Sequence, residues 1–245
     1  MKKQLVIFDL DGTLLDTVAD IAMATNHALS TLGFPTHNEE TIKGFVGNGV
    51  SKLLERALPE EKRTEGDIFL VRQLFTEYYD KHNIDLSTPY PDIPELLYHL
   101  QQAGVKLAVA SNKYQSATEK LVAHYFPNIN FICVLGQRAG IPVKPSPEIV
   151  NEIIASSNVC KEDALYIGDS GVDMQTAHNA GIDAIAVSWG FRPRKELEEH
   201  KPLAIIDSAP ELECYFPTLF LPTDMSCTRC ARCYRSLQQC CSMDP

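Results

Sequence analysis

No apolar run in the chain approaches the ~20 residues that a membrane-spanning helix needs. The stretch that follows Met1-Lys2-Lys3-Gln4 is apolar only over residues 5–8 before Asp9 interrupts it, too short for the core of a secretion signal. The expectation is a cytoplasmic protein with no membrane partner. Positive charge is also scarce: 22 Lys and Arg face 32 Asp and Glu, a net charge of -10. Phosphate backbones are bound by surplus Lys and Arg, so no nucleic-acid partner is expected. An anionic small molecule is not excluded, because a local site or a metal ion reverses the field around it. Cysteine is sparse in the body, where only Cys133, Cys160 and Cys214 precede residue 217, so no disulfide framework is expected.

The apolar segments that are present are short and regularly spaced. Residues 4–8, 105–110, 131–135, 164–167, 182–187 and 203–206 read as strands, several of them continuous and β-branched, as in parallel sheets buried on both faces. Helical patterns separate most of them, at 94–103 (closed by Gly104), 116–126 and 147–157. This alternation predicts an α/β fold, a doubly wound parallel sheet core. Residues 16–88 break the rhythm, with helical periodicity at 17–32, from about Asn38, at 50–58 and at 68–81, and no convincing strand. The expected organisation is an α/β catalytic core from 1–15 and 89–216 with an inserted helical cap domain at 16–88, followed by a Cys-rich tail at 217–245.

In open α/β sheets ligands bind beyond the carboxyl ends of the strands. Asp9 and Asp11 follow the first strand, Ser111 and Asn112 the second core strand, and Asp169 the strand that ends at Gly168. Asp173 lies four residues after Asp169, and Lys144 sits in a loop before Pro145. All should meet at one sheet edge. Carboxylates gathered there repel one another and call for a cation, and an all-oxygen set with water suits Mg2+. A lysine and a hydroxyl suit phosphate oxygens. One carboxylate can attack phosphorus while a second protonates the leaving oxygen and later activates water. Gly12 permits a sharp turn that brings backbone N–H groups toward the phosphate. Taken singly, each acidic residue could merely cap the helix that follows its strand. Four motifs in order at strand ends make that reading poor.

Those motifs resemble the haloacid dehalogenase superfamily. The residues that carry the likeness are Asp9-Leu10-Asp11-Gly12-Thr13-Leu14, Ser111, Lys144 before Pro145, and Gly168-Asp169-Ser170-Gly171-Val172-Asp173. The resemblance implies that Asp9 is the nucleophile and a metal ligand. It makes Asp11 the general acid and base, with its backbone carbonyl on the metal, and Asp169 a direct ligand. Asp173 would act through water or by orienting Lys144. Ser111, Lys144 and Asn112 would hold the phosphoryl group. Dehalogenases of the superfamily lack the second aspartate, so Asp11 favours phosphoryl chemistry.

Within the superfamily, Phe45-Val46-Gly47-Asn48-Gly49-Val50, Pro89-Tyr90-Pro91 and Ser188-Trp189-Gly190-Phe191-Arg192 are similar to phosphoglycolate phosphatases. Asp92 departs from that pattern, which usually has Gly after Tyr-Pro. The implied activity is hydrolysis of a small phosphorylated metabolite, 2-phosphoglycolate first, through an aspartyl-phosphate, by a monomer or homodimer. Alternatives are another small-molecule phosphatase, a pyrophosphatase, a sugar-phosphate mutase or, outside enzymes, a noncatalytic phosphate-binding regulator. The Gly47-Asn48-Gly49 loop, with the Asn48 amide, is the expected reader of the substrate's carboxylate. In the tail, Cys227, Cys230, Cys233, Cys240 and Cys241 complete no metal-site spacing, and a disordered extension is expected there.

Overall fold

The computed structural model describes residues 3–216. The expectations for the Cys-rich tail lie outside the described residues. The central sheet has the order β5-β4-β1-β6-β7-β8 and is parallel throughout. Its strands are β1 (Leu5–Phe8), β4 (Lys106–Tyr114), β5 (Phe131–Gln137), β6 (Ala164–Gly168), β7 (Asp183–Val187) and β8 (Ala204–Ile206). A second, two-stranded antiparallel ladder pairs β2 (Leu15–Asp16) with β3 (Thr88–Pro89). These two short strands had no periodicity to reveal them.

Successive side chains of a strand face opposite sides, and the two faces of this sheet differ in size. Val6, Phe8, Leu107, Val109, Leu165, Ile167, Ile185 and Val187 pack together on one face. Against them lie α5 (Ile93–Gln102), α6 (Gln115–Tyr125) and α10 (Ala209–Glu213). The other face carries Leu5 and Ile7 among the small residues Ala108, Ala110, Ala164, Ala184 and Ala186. Small side chains let α7 (Glu148–Ser157), α8 (Gly171–Ala180) and α9 (Arg194–Glu199) come close to the backbone. Burying Val6, Ile7 and Phe8 contributes about 1.5–3 kcal/mol each. That rigidity fixes where the chain leaves β1, at Asp9.

Between β2 and β3 run α1 (Val18–Thr31), α2 (Glu39–Phe45), α3 (Val50–Ala57) and α4 (Glu65–His82). They share an apolar cluster that includes Ile21, Leu29, Leu54, Val71, Phe75 and Tyr79. No helix among the described residues is long and apolar enough to cross a membrane.

Two local features explain how the chain enters and leaves this helical segment. Asp92 adopts the left-handed conformation at φ 61°. Glycine is favoured there, and aspartate is among the few other residues that tolerate it, so the turn before α5 survives the departure from Gly. Asp20 on α1 is 2% exposed and is an acceptor that the sequence did not disclose. It receives the backbone N–H of Leu86 (3.0 Å) and Ser87 (2.8 Å) and the Ser87 hydroxyl (2.6 Å), tying α1 to the returning chain. Removing the acceptor strands those donors, each costing about 1–3 kcal/mol when buried. Asp20→Ala is therefore expected to lower unfolding free energy by about 2 kcal/mol or more in urea titrations; a change under ~0.5 kcal/mol would show the tie to be dispensable.

Candidate active site

Parallel strands β1, β4 and β6 end side by side, so the residues that follow them share one cleft. It is lined by Asp9, Asp11, Ser111, Asn112, Lys113 and Asp169 from the sheet edge. Ile21, Val46, Val50, Leu53, Phe75 and Tyr79 line it from the helical segment. The cleft is open to solvent, and its water-accessible space is ≈ 60 Å³, on the order of four to six water positions.

At its floor Asp9, Asp169 and Asp173 each place a carboxylate oxygen within 4.8 Å of the others'. The three carboxylates are not equivalent. Asp173 Oδ1 accepts from Lys144 Nζ at 2.7 Å, and its Oδ2 accepts from Ser170 N at 3.1 Å and Ser170 Oγ at 2.5 Å. Ser170 and Asp173 form the capping box that starts α8. Asp173 is thus committed to holding Lys144 and the helix start. Asp169 Oδ2 accepts from the Phe191 N–H at 2.7 Å and Oδ1 from the Thr13 hydroxyl at 3.3 Å. Gly12, at φ +84°, lies so close that a Cβ there would collide with the Asp169 carboxylate. Asp9 Oδ1 is buried with no hydrogen-bond partner; Lys144 Nζ stands 2.9 Å away but out of hydrogen-bond alignment.

Burial first, then the Asp173 charge, pushes Asp9 up to about 7, even though Lys144 opposes the shift. Burial, with Asp173 and Asp9 as neighbours, also holds Asp169 well above the usual carboxylate range. Burial alone would lower Lys144, but Asp173 and Asp9 outweigh it and keep the ammonium charged. Buried, mutually repelling carboxylates with only one lysine among them fit a hard divalent cation held by Asp9 and Asp169.

Lys144 Nζ also donates to Ala110 O and Tyr166 Oη, both at 3.0 Å. Ser111 Oγ accepts from Lys113 N at 3.2 Å, which leaves its own proton free to donate. Asn112 is brought to the cleft, yet its amide is spent on the protein. Its Oδ1 accepts from Lys144 N, and its Nδ2 donates to the carbonyls of Lys144 and Gly47. It positions the lysine loop and touches the helical segment. Asp11 stands apart from the carboxylate trio: Oδ1 accepts from the Thr17 hydroxyl at 2.6 Å and Oδ2 from Lys113 Nζ at 3.0 Å.

Gly47 and Gly49 line the cleft, but Asn48 does not. Its Oδ1 accepts from Arg56 at 2.8 Å, and the residue borders a second, outer cavity with Glu40, Arg56 and Glu196. The structure therefore does not bring the Asn48 side chain to the carboxylates. Lys113, Tyr79 and Tyr166 line or support the centre without having been anticipated. Lys113 directly follows Ser111 and Asn112, a positional signal that was legible. The two tyrosines had only the pattern of ordinary buried residues.

The chain is similar to proteins of a known family. The Haloacid dehalogenase-like hydrolase family model matches residues 6–187. The chain is 33% identical over 214 residues to a phosphoglycolate phosphatase of Vibrio parahaemolyticus, covering 85% of this chain and 94% of that one. It is likewise 33% identical over 210 residues to a phosphoglycolate phosphatase of Mesorhizobium japonicum, covering 84% and 91%. Among solved structures, a candidate phosphoglycolate phosphatase from Lactobacillus delbrueckii subsp. bulgaricus superposes with a TM-score of 0.82 at 37% identity, covering 88% of this chain and 99% of that one.

The raised Asp9 gives a sign that can be tested without turnover. Between the ordinary carboxylate value and about 7, the native state holds more protons at Asp9 than the unfolded state does. Metal-free stability should therefore fall as pH rises through that window. A cation bound to ionised Asp9 and Asp169 offsets the loss, so Mg2+ should raise Tm more near pH 8 than near pH 5. A shift that is equal at both pH values, or absent, would remove Asp9 from the metal site.

Proposed function

The chain belongs to the haloacid dehalogenase-like hydrolase family and is a phosphoric monoester hydrolase; from that premise we propose that it hydrolyses 2-phosphoglycolate to glycolate and phosphate, with Mg2+ as cofactor. The observation that carries the mechanism is the buried Asp9 carboxylate, whose Oδ1 has the Lys144 ammonium 2.9 Å away and the Asp169 carboxylate close by. In the first step an Asp9 carboxylate oxygen attacks phosphorus, the bond from phosphorus to the ester oxygen breaks, and Asp11 gives its proton to the departing glycolate oxygen. In the second step water attacks the phosphorus of the aspartyl-phosphate, Asp11 takes the water's proton, and phosphate leaves as Asp9 is regenerated.

The Ser111 hydroxyl and the Lys144 ammonium hold phosphoryl oxygens as charge builds on them. Asp173 keeps Lys144 in place through the 2.7 Å contact. When bound, the metal ion supplies positive charge shared between the phosphate and the carboxylates of Asp9 and Asp169, with the Asp11 carbonyl as a further ligand. Residues 16–88 act as a cap: α1 to α4 cover the strand ends and limit water around the acyl phosphate. The narrow cleft favours a small ester. The free thiols of Cys133 and Cys160 and a metabolite substrate suit the cytoplasm.

Asp9→Asn keeps side-chain size and removes the nucleophilic oxygen, so phosphate release should fall at least 1,000-fold with an unchanged circular dichroism spectrum. A variant retaining a tenth of the wild-type rate would exclude the covalent route. EDTA should abolish release from wild type and Mg2+ restore it, while Ca2+, with longer bonds and more ligands, should restore it poorly. Full activity after metal removal would overturn the cofactor assignment.

A further inference from the structure

Every phosphomonoester offers the floor of this cleft the same phosphate, so selection depends on what meets the leaving alcohol. Asp11 delivers the proton to the leaving oxygen in the proposed reaction. In glycolate the carboxylate carbon is only two bonds from that oxygen, so it must lie beside whatever flanks Asp11. A second anion in a cleft already holding Asp9, Asp11 and Asp169 is repelled unless a cation meets it.

Three cationic side chains reach the cleft region, and two are committed elsewhere. Lys144 is tied to Ala110 O, Tyr166 Oη, Asp173 and Asp9, and in the proposed reaction it meets the phosphoryl group and not the leaving alcohol. The Arg192 guanidinium donates to the Lys43 carbonyl at 3.0 Å and to the Val46 carbonyl. Lys113 is the exception. Its side chain is 6% exposed, its Nζ makes one hydrogen bond, to Asp11 Oδ2 at 3.0 Å, and an ammonium carries three donors. The same Nζ stands 4.8 Å from the centre of the Tyr79 ring. Tyr79 lines the cleft at 1% exposure, and its hydroxyl is buried without a partner. A hydroxyl that finds no partner in the protein is left to meet a ligand oxygen. Burial holds the Tyr79 phenol well above its ordinary value, which keeps it a neutral donor.

Resting on the phosphoglycolate reading, we propose that Lys113 and Tyr79 bind the carboxylate of the leaving group and so set the substrate class as phosphate esters of short 2-hydroxy acids. The Lys113 ammonium is shared between Asp11 and the substrate carboxylate, while the Tyr79 hydroxyl donates to the carboxylate's other side. The assignment places recognition at the junction of β4 and α4, and not on Asn48, which does not line the cleft and whose Oδ1 accepts from Arg56.

The test compares 2-phosphoglycolate with 2-hydroxyethyl phosphate, which replaces the carboxylate by a neutral CH2OH group. Wild type should favour phosphoglycolate in kcat/KM by about tenfold or more. Lys113→Met should bring the two substrates to within roughly threefold, chiefly through KM for phosphoglycolate, and Lys113→Arg should recover part of the preference. Tyr79→Phe removes one oxygen from a buried ring and should cut the preference several-fold, so it carries the test should Lys113→Met not fold. Equal losses on both substrates in these variants would make Lys113 and Tyr79 supports of Asp11 and the fold, and would overturn the proposal. A wild-type enzyme with no preference would sink the phosphoglycolate reading and this proposal with it. A wild-type preference that survives in Lys113→Met and Tyr79→Phe would sink only this proposal.

Discussion

Repulsion among Asp9, Asp169 and Asp173 is the constraint around which the rest of the molecule is arranged. Three carboxylates share a desolvated pocket with one lysine. Buried ion pairs seldom stabilise a fold beyond what apolar packing would give, so this cluster is not explained by stability. The surrounding structure holds it by giving each member separate partners. Asp173 is fixed by Lys144 and Ser170, and Asp169 by Thr13 and the Phe191 N–H. Asp9 has the Lys144 ammonium 2.9 Å from Oδ1 but no aligned hydrogen bond to it.

The same cluster connects the sheet edge to the helical segment. Asn112 locks the Lys144 loop and donates to Gly47 O at 2.9 Å. Arg192, on the loop whose Phe191 N–H meets Asp169, reaches the carbonyls of Lys43 and Val46. The segment at 43–47 is therefore held by two core side chains, Asn112 next to Lys144, which meets Asp9, and Arg192 next to Phe191, which meets Asp169. A shift of the helices relative to the sheet must break or remake these bonds, so substrate access and the placement of Lys144 and Asp169 are coupled through short, nameable contacts.

Fold class was legible in the sequence because parallel strands buried on both faces read as short apolar runs, and the six central strands fall where those runs lie. The strand-end carboxylates were legible for the same reason: polar residues that directly follow apolar runs stand out. What escaped was carried by contacts distant in sequence. Asp20 looks like any helical carboxylate until the chain returns 66 residues later to Leu86. Strands β2 and β3 have two residues each, too few to show a period. Asn48 lies outside the cleft lining and its Oδ1 accepts from Arg56, a partner that spacing alone does not reveal.

Lys113 shows most clearly why a site can exceed its motif. The apolar run predicted a strand ending at Ala110, yet β4 continues to Tyr114. Ala110 pairs with Leu135 and Tyr114 with Gln137, so four steps on β4 match two on β5. The surplus residues interrupt the ladder at Ser111-Asn112-Lys113. Irregularities of this kind bend a strand and re-aim its side chains. Here the result is that three consecutive residues serve three ends: Ser111 lines the cleft beside Asp9, Asn112 joins the Lys144 loop to Gly47, and Lys113 reaches Asp11 and the Tyr79 ring. A regular strand would have turned alternate side chains away from the cleft. The irregular one brings three neighbouring polar side chains to one point of the sheet edge, two lining the cleft beside Asp9 and Asp11 and one holding the Lys144 loop.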